Sequence, residues 1–196
     1  MNMQDRRVKR TQQLLAEALI ALTLEKGYEE VTIRDISERA DVGYATYFRH
    51  YPDKDALLTD VLEVVLDELI KLLQQPEPNA DPALAGTILF HYVQQHSQVC
   101  QVLLQSRRSL GLLQRIIGLG MDNILSDNPA REGSLVPVEI AAHHLVTAAI
   151  ALIQWWLDNR MPHPPERMGI IYRELIVRPT YLVAFQGIEP PPRLAQ

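Results

Sequence analysis

A single cysteine, Cys100, stands in this 196-residue chain. It can form no internal disulfide, and its solitude excludes every zinc pattern that needs two thiolates. Long apolar runs are missing too. The longest, LVTAAIALI at 145–153, falls well short of the roughly 20 residues that cross a bilayer. Glu139, His143 and His144 interrupt the chain just before it. No membrane span is expected. The opening MNMQDRRVKR is charged and lacks the apolar centre of a secretory signal, so a cytoplasmic protein is expected. No strand-like alternation of any length, no internal repeat and no low-complexity segment is present, which makes an all-α fold the expectation.

The groupings that catalysis needs are also absent. His143 and His144 are adjacent, so on a helix they point about 100° apart. His91 and His96, in HYVQQH, are five apart and again share no face. Cys100 has no basic neighbour closer than Arg107, the pattern of a small buried hydrophobe rather than a nucleophile. No metal site, no cofactor and no enzymatic activity is expected.

Positive charge is scarce overall, with 19 Lys and Arg against 24 Asp and Glu and a net charge of −5. Its distribution matters more than the sum. Residues 1–54 carry nine of each sign, so the remaining 10 and 15 account for the whole excess. Arg6, Arg7, Lys9 and Arg10 against Asp5 make a locally basic arm.

Periodicity then orders the chain. Val8, Thr11, Leu15, Ala18, Leu19 and Leu22 follow the 3.6-residue stripe of an amphipathic helix from about Asp5 to Lys26, closed by Gly27. Thr32 with Asp35 predicts a capping box, opening a short helix with Ile33, Ile36 and Ala40 inward. The four residues ADVG lead to another short helix from Tyr44, with Asp41 suited to a positive φ. Two short helices so closely joined have the proportions of a helix-turn-helix. Pro52 and Asp53 end the third helix and start a fourth over 53–75, with Leu58, Val61, Leu62, Val65, Leu69 and Leu73 along one face. PEPNADP breaks the chain, and Asp81 and Pro82 reopen it. Helical patterns run to about Ser126 with interruptions near Gly111 and Gly118. Two long helices follow, Val136–Asn159 and Pro165–Phe185, the second kinked or ended at Pro179. The tail GIEPPPRLAQ cannot pack a core.

The stretch GYATYFRHYPDK at 43–54 holds three of the seven tyrosines and one of the three phenylalanines, with His50 and Lys54 among them. Tyr47 and Tyr51 lie four apart and read as core plugs. Tyr44, directly after the turn, reads as a ring turned to DNA. The run TIRDISERADVGYATYFRHYPDKDALL after a basic amphipathic helix resembles the DNA-binding domain of the TetR/AcrR transcriptional regulators. Ile36, Ala40, Val42, Thr46, His50, Pro52, Lys54 and Leu57 fall where that family's pattern has them, and the resemblance covers about residues 5–60. LIQWWLDNRMPHPPERMGIIYRELIVRP is similar to the last two helices of many members.

The resemblance implies an N-terminal three-helix DNA-binding domain over 1–54, with the fourth helix connecting. It implies a helical effector-binding and dimerisation domain over 55–187, and the tail from 188. Carried over by position, Thr32 meets a phosphate and Arg34 reaches a base edge. Gly43, Tyr44, Ala45, Thr46 and Tyr47 belong to the DNA-facing set, while His50 and Lys54 meet the backbone. Two positions depart from the pattern: Phe48 brings no hydroxyl where tyrosine is usual, and Gly43 brings no side-chain oxygen where serine is common. In the second domain the expected lining for an apolar or aromatic effector is Phe90, His91, Tyr92, Cys100, Leu104, Met121, Gln154, Trp155 and Tyr172. Trp155 and Trp156, being adjacent, project about 100° apart, so one ring is expected to face the interior and the other a dimer partner or solvent. Ala141, Ala142, Ala148, Ala149 and Ala151, with Leu145, Leu152 and Ile153, would let two copies approach closely. The expected function is a ligand-responsive repressor that binds double-stranded DNA as a homodimer on an inverted repeat. The alternative is a DNA-binding protein of the same fold whose C-terminal half binds another protein.

Overall fold

The computed structural model describes residues 3–73, 82–105 and 110–186. The break after Gln75, the Asp81 cap and the tail from 188 lie outside them. The fold is all-α, with one isolated antiparallel bridge between Ala130 and Phe185. Ten helices occur among the described residues: α1 Met3–Lys26, α2 Ile33–Arg39, α3 Tyr44–Tyr47, α4 Lys54–Leu73, α5 Pro82–Gln95, α6 Ser97–Gln105, α7 Leu110–Asp127, α8 Val138–Asp158, α9 Pro165–Tyr172 and α10 Arg178–Ala184. The chain divides into two compact units, residues 1–67 with 98–110, and residues 68–97 with 111–196.

In the first unit α1 buries Leu15, Ala18, Leu19 and Leu22 as the stripe requires, and Ile20 as well. Val8 stays exposed because the first turns of α1 project beyond the core. Gly27 takes φ 84° and ψ 144°, a region glycine reaches at little cost, and releases the chain into a 3₁₀ turn at Tyr28–Glu30. From α2 Ile36 and Ser37 are buried, with Ala40 at its C-cap, and from α4 Leu57, Leu58, Leu62 and Val65. Ion pairs tie α2 back to α1: Lys26 to Asp35 at 2.8 Å, and Arg39 to Glu25 through two bonds of 2.9 and 2.7 Å. Cys100 and Val102 of α6 are buried within this same unit, and burial pushes the Cys100 thiol up to about 12.

In the second unit α5 and α9 approach through glycines. A Cβ on Gly86 would stand 2.8 Å from Cδ1 of Tyr172 and 3.0 Å from the Cα of Gly169. Phe90 and Trp156 fill the interior edge to face, with ring centroids 5.2 Å apart. The Trp156 indole donates to the His163 carbonyl at 2.9 Å. A second cluster joins Ala141 and Leu145 of α8 to Ile176, Val177, Ala184 and Phe185. Gly118 does not interrupt its helix, because α7 runs through it and Gly111; eighteen residues outweigh a propensity loss of about 1 kcal/mol per glycine. Helix α8 ends in two left-handed residues, Arg160 and Met161, where the Met161 amide donates to the Trp156 carbonyl at 2.7 Å. A five-residue π turn, Arg173–Val177, separates α9 from α10. Pro179 falls in the first turn of α10, where its missing amide hydrogen is tolerated.

Helix α8 has the length and apolar content of a membrane-crossing segment, yet only 28% of that stretch is buried in the single chain. Its inner face carries Ala141, Ala142, Leu145 and Trp156. Ile140 and Trp155 stand out on the other side at 62% and 48% exposure.

The glycine contact gives a direct test. Gly86→Ala places a methyl against a backbone atom that cannot swing away, and overpacking of this kind costs about 1–3 kcal/mol. A urea melt should show a lower midpoint at unchanged slope; an unaltered midpoint would mean that the α5–α9 approach is not tight.

Candidate nucleic-acid interface

Helix α2 begins at a complete capping box. The Asp35 amide donates to Thr32 Oγ1 at 3.1 Å, while the Thr32 amide and hydroxyl donate to Asp35 Oδ2 at 2.8 and 2.7 Å. The Lys26 ammonium reaches the same oxygen at 2.8 Å. Together Lys26 and then Thr32 hold the Asp35 carboxyl well below the usual carboxylate range. The Thr32 hydroxyl, expected at a phosphate, already has its one hydrogen committed to this cap.

The turn closes through Val42, whose amide donates to the Ser37 carbonyl at 2.9 Å, and through Asp41 at φ 52°. Gly43 then caps α3 without a side-chain bond. Its carbonyl accepts from Thr46 at 2.7 Å and Tyr47 at 3.1 Å, and further turns continue to Tyr51. The rings separate by face. Tyr47 is 0% exposed and its hydroxyl donates to the Asp53 carbonyl at 2.9 Å; burial pushes this phenol up to about 12. Tyr51 is buried beside it and donates to Asp60 at 2.6 Å. Tyr44 and Phe48 face outward, at 56% and 46% exposure, edge to face with centroids 5.1 Å apart. Ala45 is exposed, and Thr46 and His50 are half-buried.

Between α2 and α3 lies an open groove of about 630 Å³, lined by Arg34, Ser37, Glu38, Asp41, Val42, Gly43 and Tyr44. Arg34 reaches over its rim and pairs with Glu38 at 3.2 Å, both largely exposed. The groove brings Arg34, Gly43 and Tyr44 together; Ala45, exposed, and Thr46, half-buried, follow Tyr44 on α3. It leaves out Tyr47, which the sequence pattern carried in the DNA-facing set: its place four residues before Tyr51 puts it on the buried side. Lys54 is turned inward to backbone carbonyls. Two residues of this surface have no forecast in the sequence. Phe48 is an outward ring although it has no hydroxyl, and Ser37, only 4% exposed, leaves Oγ without a hydrogen-bond partner. The signal for Ser37 was its position, three before Ala40 and next to Ile36.

The residues expected around an effector are dispersed. Cys100 and Leu104 belong to the first unit, while Phe90, His91, Tyr92, Met121, Gln154, Trp155 and Tyr172 fall in the second. Gln154 and Trp155 are exposed on the outside of α8, and the indole that turns inward is Trp156. Phe90 and Trp156 pack on each other. His91 pairs with Glu166 at 2.9 Å, and Tyr92 donates to Glu68 at 3.3 Å.

This is an all-helical protein built on a helix-turn-helix. Residues 15–61 match the family described as bacterial regulatory proteins, tetR family, and residues 86–177 match a transcriptional regulator C-terminal region. The chain belongs to the tetR family of bacterial transcriptional regulators. It is similar to the uncharacterized HTH-type transcriptional regulator YxbF of Bacillus subtilis, 27% identical over 190 residues that make 88% of this chain and 45% of that protein. It is similar also to the HTH-type transcriptional repressor KstR of Rhodococcus jostii, 41% identical over 61 residues, 31% of this chain and 27% of that one. The chain thus spans less than half the length of these curated relatives. Among solved structures it shares its fold with the transcriptional regulator FadR from Bacillus subtilis in complex with stearoyl-CoA, at a TM-score of 0.65 and 16% identity over 84% of this chain and 97% of that one.

Asp35 supplies a pH test. Its folded pKa is depressed, so its contribution is present above the unfolded value near 3.8 and is lost as pH falls below it. Asp35→Asn should therefore lower the melting temperature at pH 7 and flatten its acid dependence between about pH 5 and 3. Parallel curves for the two proteins over that interval would remove the carboxylate from the cap.

Proposed function

We propose that this protein is a ligand-responsive transcriptional repressor that binds an inverted-repeat DNA site as a homodimer. The observation that carries the reading is the division of rings around α3. Tyr47 and Tyr51 are buried and hydrogen-bonded, so the short helix is held rigidly, while Tyr44, Ala45, Thr46 and Phe48 are offered outward beside Arg34. Arg34 supplies the fork that reads guanine, Tyr44 and Phe48 supply apolar edges for thymine methyls, and Ala45 keeps the approach close. Arg6, Arg7, Lys9 and Arg10, all exposed on the first turns of α1, suit non-specific attraction to phosphate. KstR is a repressor by name, which supports repression as the sense of regulation.

Dimerisation is supported by α8. Ile140, His144, Ala151 and Trp155 recur at spacings of four, seven and four residues on its outer face, and this largely apolar stripe, broken by His144, suits a second copy of the same helix. The effector-binding part of the reading rests on family likeness and on the aromatic interior around Phe90, Trp156 and Tyr172. FadR is seen with stearoyl-CoA, an apolar acyl chain on a charged head, which favours an effector with a long apolar part here. Such a ligand lowers DNA affinity by the factor by which DNA lowers its own.

Two experiments test this. Arg34→Ala and Tyr44→Ala should each lose about 1–3 kcal/mol on the preferred DNA site and much less on unrelated duplexes; equal losses on both would deny them a reading role. Ile140→Asp should convert a dimer into a species of the 22.3 kDa chain mass by light scattering. A wild-type protein that is already monomeric would remove the inverted-repeat expectation of half-sites about 34 Å apart.

A further inference from the structure

Lys54 is the first residue of α4. A cation there opposes the helix dipole, since the unpaired amides of a first turn carry partial positive charge. Its side chain is directed instead at the end of the 3₁₀ turn. Nζ donates to the carbonyl oxygens of Tyr28 at 2.9 Å, Glu29 at 3.2 Å and Val31 at 2.8 Å. An ammonium has three hydrogens, and three carbonyls use them all. Nζ also lies 4.5 Å from the centroid of the Tyr28 ring, close enough for a cation–π attraction. Neighbouring bonds tighten the same joint. The Tyr28 hydroxyl donates to Asp55, the Ala56 amide donates to Asp53 Oδ1 at 2.8 Å, and Tyr47 of the recognition turn donates to the Asp53 carbonyl.

We propose that Lys54 is a positioning residue: it locks the start of α4 to the turn after α1, thereby setting the recognition turn, and it does not neutralise a DNA phosphate. To reach a phosphate, Nζ would give up three good bonds and leave three carbonyl oxygens without their donor. The inference rests on the DNA-binding reading above and turns on what the lysine does within it.

The test uses the unaltered protein first. Acylation with the N-hydroxysuccinimide ester of acetic acid, followed by mass spectrometry, reads each lysine in the free protein and in its complex with the tightest-binding duplex from a random pool. Lys54 should react slowly and equally in both states, while exposed Lys9 reacts fast in the free protein. A Lys54 as reactive as Lys9 in the free protein, and protected only by DNA, overturns the proposal. The second measurement is Lys54→Met. It should bind all duplexes about tenfold more weakly, with an unchanged slope of log affinity against log salt. A slope reduced by about 0.9, the signature of one lost phosphate contact, overturns the proposal, and so does unchanged affinity. Should the variant fail to fold, the acylation result still decides. Should the wild type bind no duplex, the DNA reading fails, and the free-protein rate alone then tests the joint.

Discussion

A four-residue helix cannot hold its own shape, because one turn fixes several dihedral angles in return for one or two hydrogen bonds. Helix α3 is of that length, so its geometry is imposed from beneath. The imposing group is Tyr47. Its ring is fully buried, and its hydroxyl ends on the Asp53 carbonyl, one residue before α4 begins. A buried phenol without that acceptor would cost about 1–3 kcal/mol; with it, the plug also fixes the distance between the two helices. Tyr51 repeats the device one turn later through Asp60. The outward face of α3 is rigid because its inward face is aromatic and satisfied.

That constraint explains why rings are crowded into one short stretch. Side chains four apart share a face and those one apart do not, so Tyr47 and Tyr51 serve the core while Tyr44 and Phe48 serve the surface. The charges around it are used in the same way. Lys26 and Thr32 concentrate on Asp35, Arg39 on Glu25, and Lys54 on the carbonyls of the 3₁₀ turn. Much of the positive charge in the first unit therefore holds the helices together. The exposed cations of this unit that can meet a polyanion include those of the first turns of α1, Arg49, and Arg34 beside Glu38.

Patterns local in sequence are legible from the residues alone. The Thr32–Asp35 box, the positive φ at Asp41, the end of α1 at Lys26 and the burial of Tyr51 all follow from spacing and backbone sterics. What depends on partners distant in sequence is not. Lys54 reads as a phosphate contact until its three carbonyls, more than twenty residues earlier, are known. Trp155 and Trp156 are expected to diverge, but periodicity alone does not say which one turns inward; the His163 carbonyl beyond the end of α8 accepts from Trp156. The assignment of α6 to the first unit, with Cys100 and Leu104, has no local sequence signal. The π turn at Arg173–Val177 likewise has no local sequence signal.

The proposed function turns on whether the surface held out by Tyr47 reads a DNA sequence. Selection from a random duplex pool at moderate salt, with the purified protein as bait, tests it with no assumption about which site is bound. Successive rounds should converge on one motif made of two inverted half-sites. A pool that stays random while still being retained would contradict this, because attraction to phosphate alone would then be the whole of the binding.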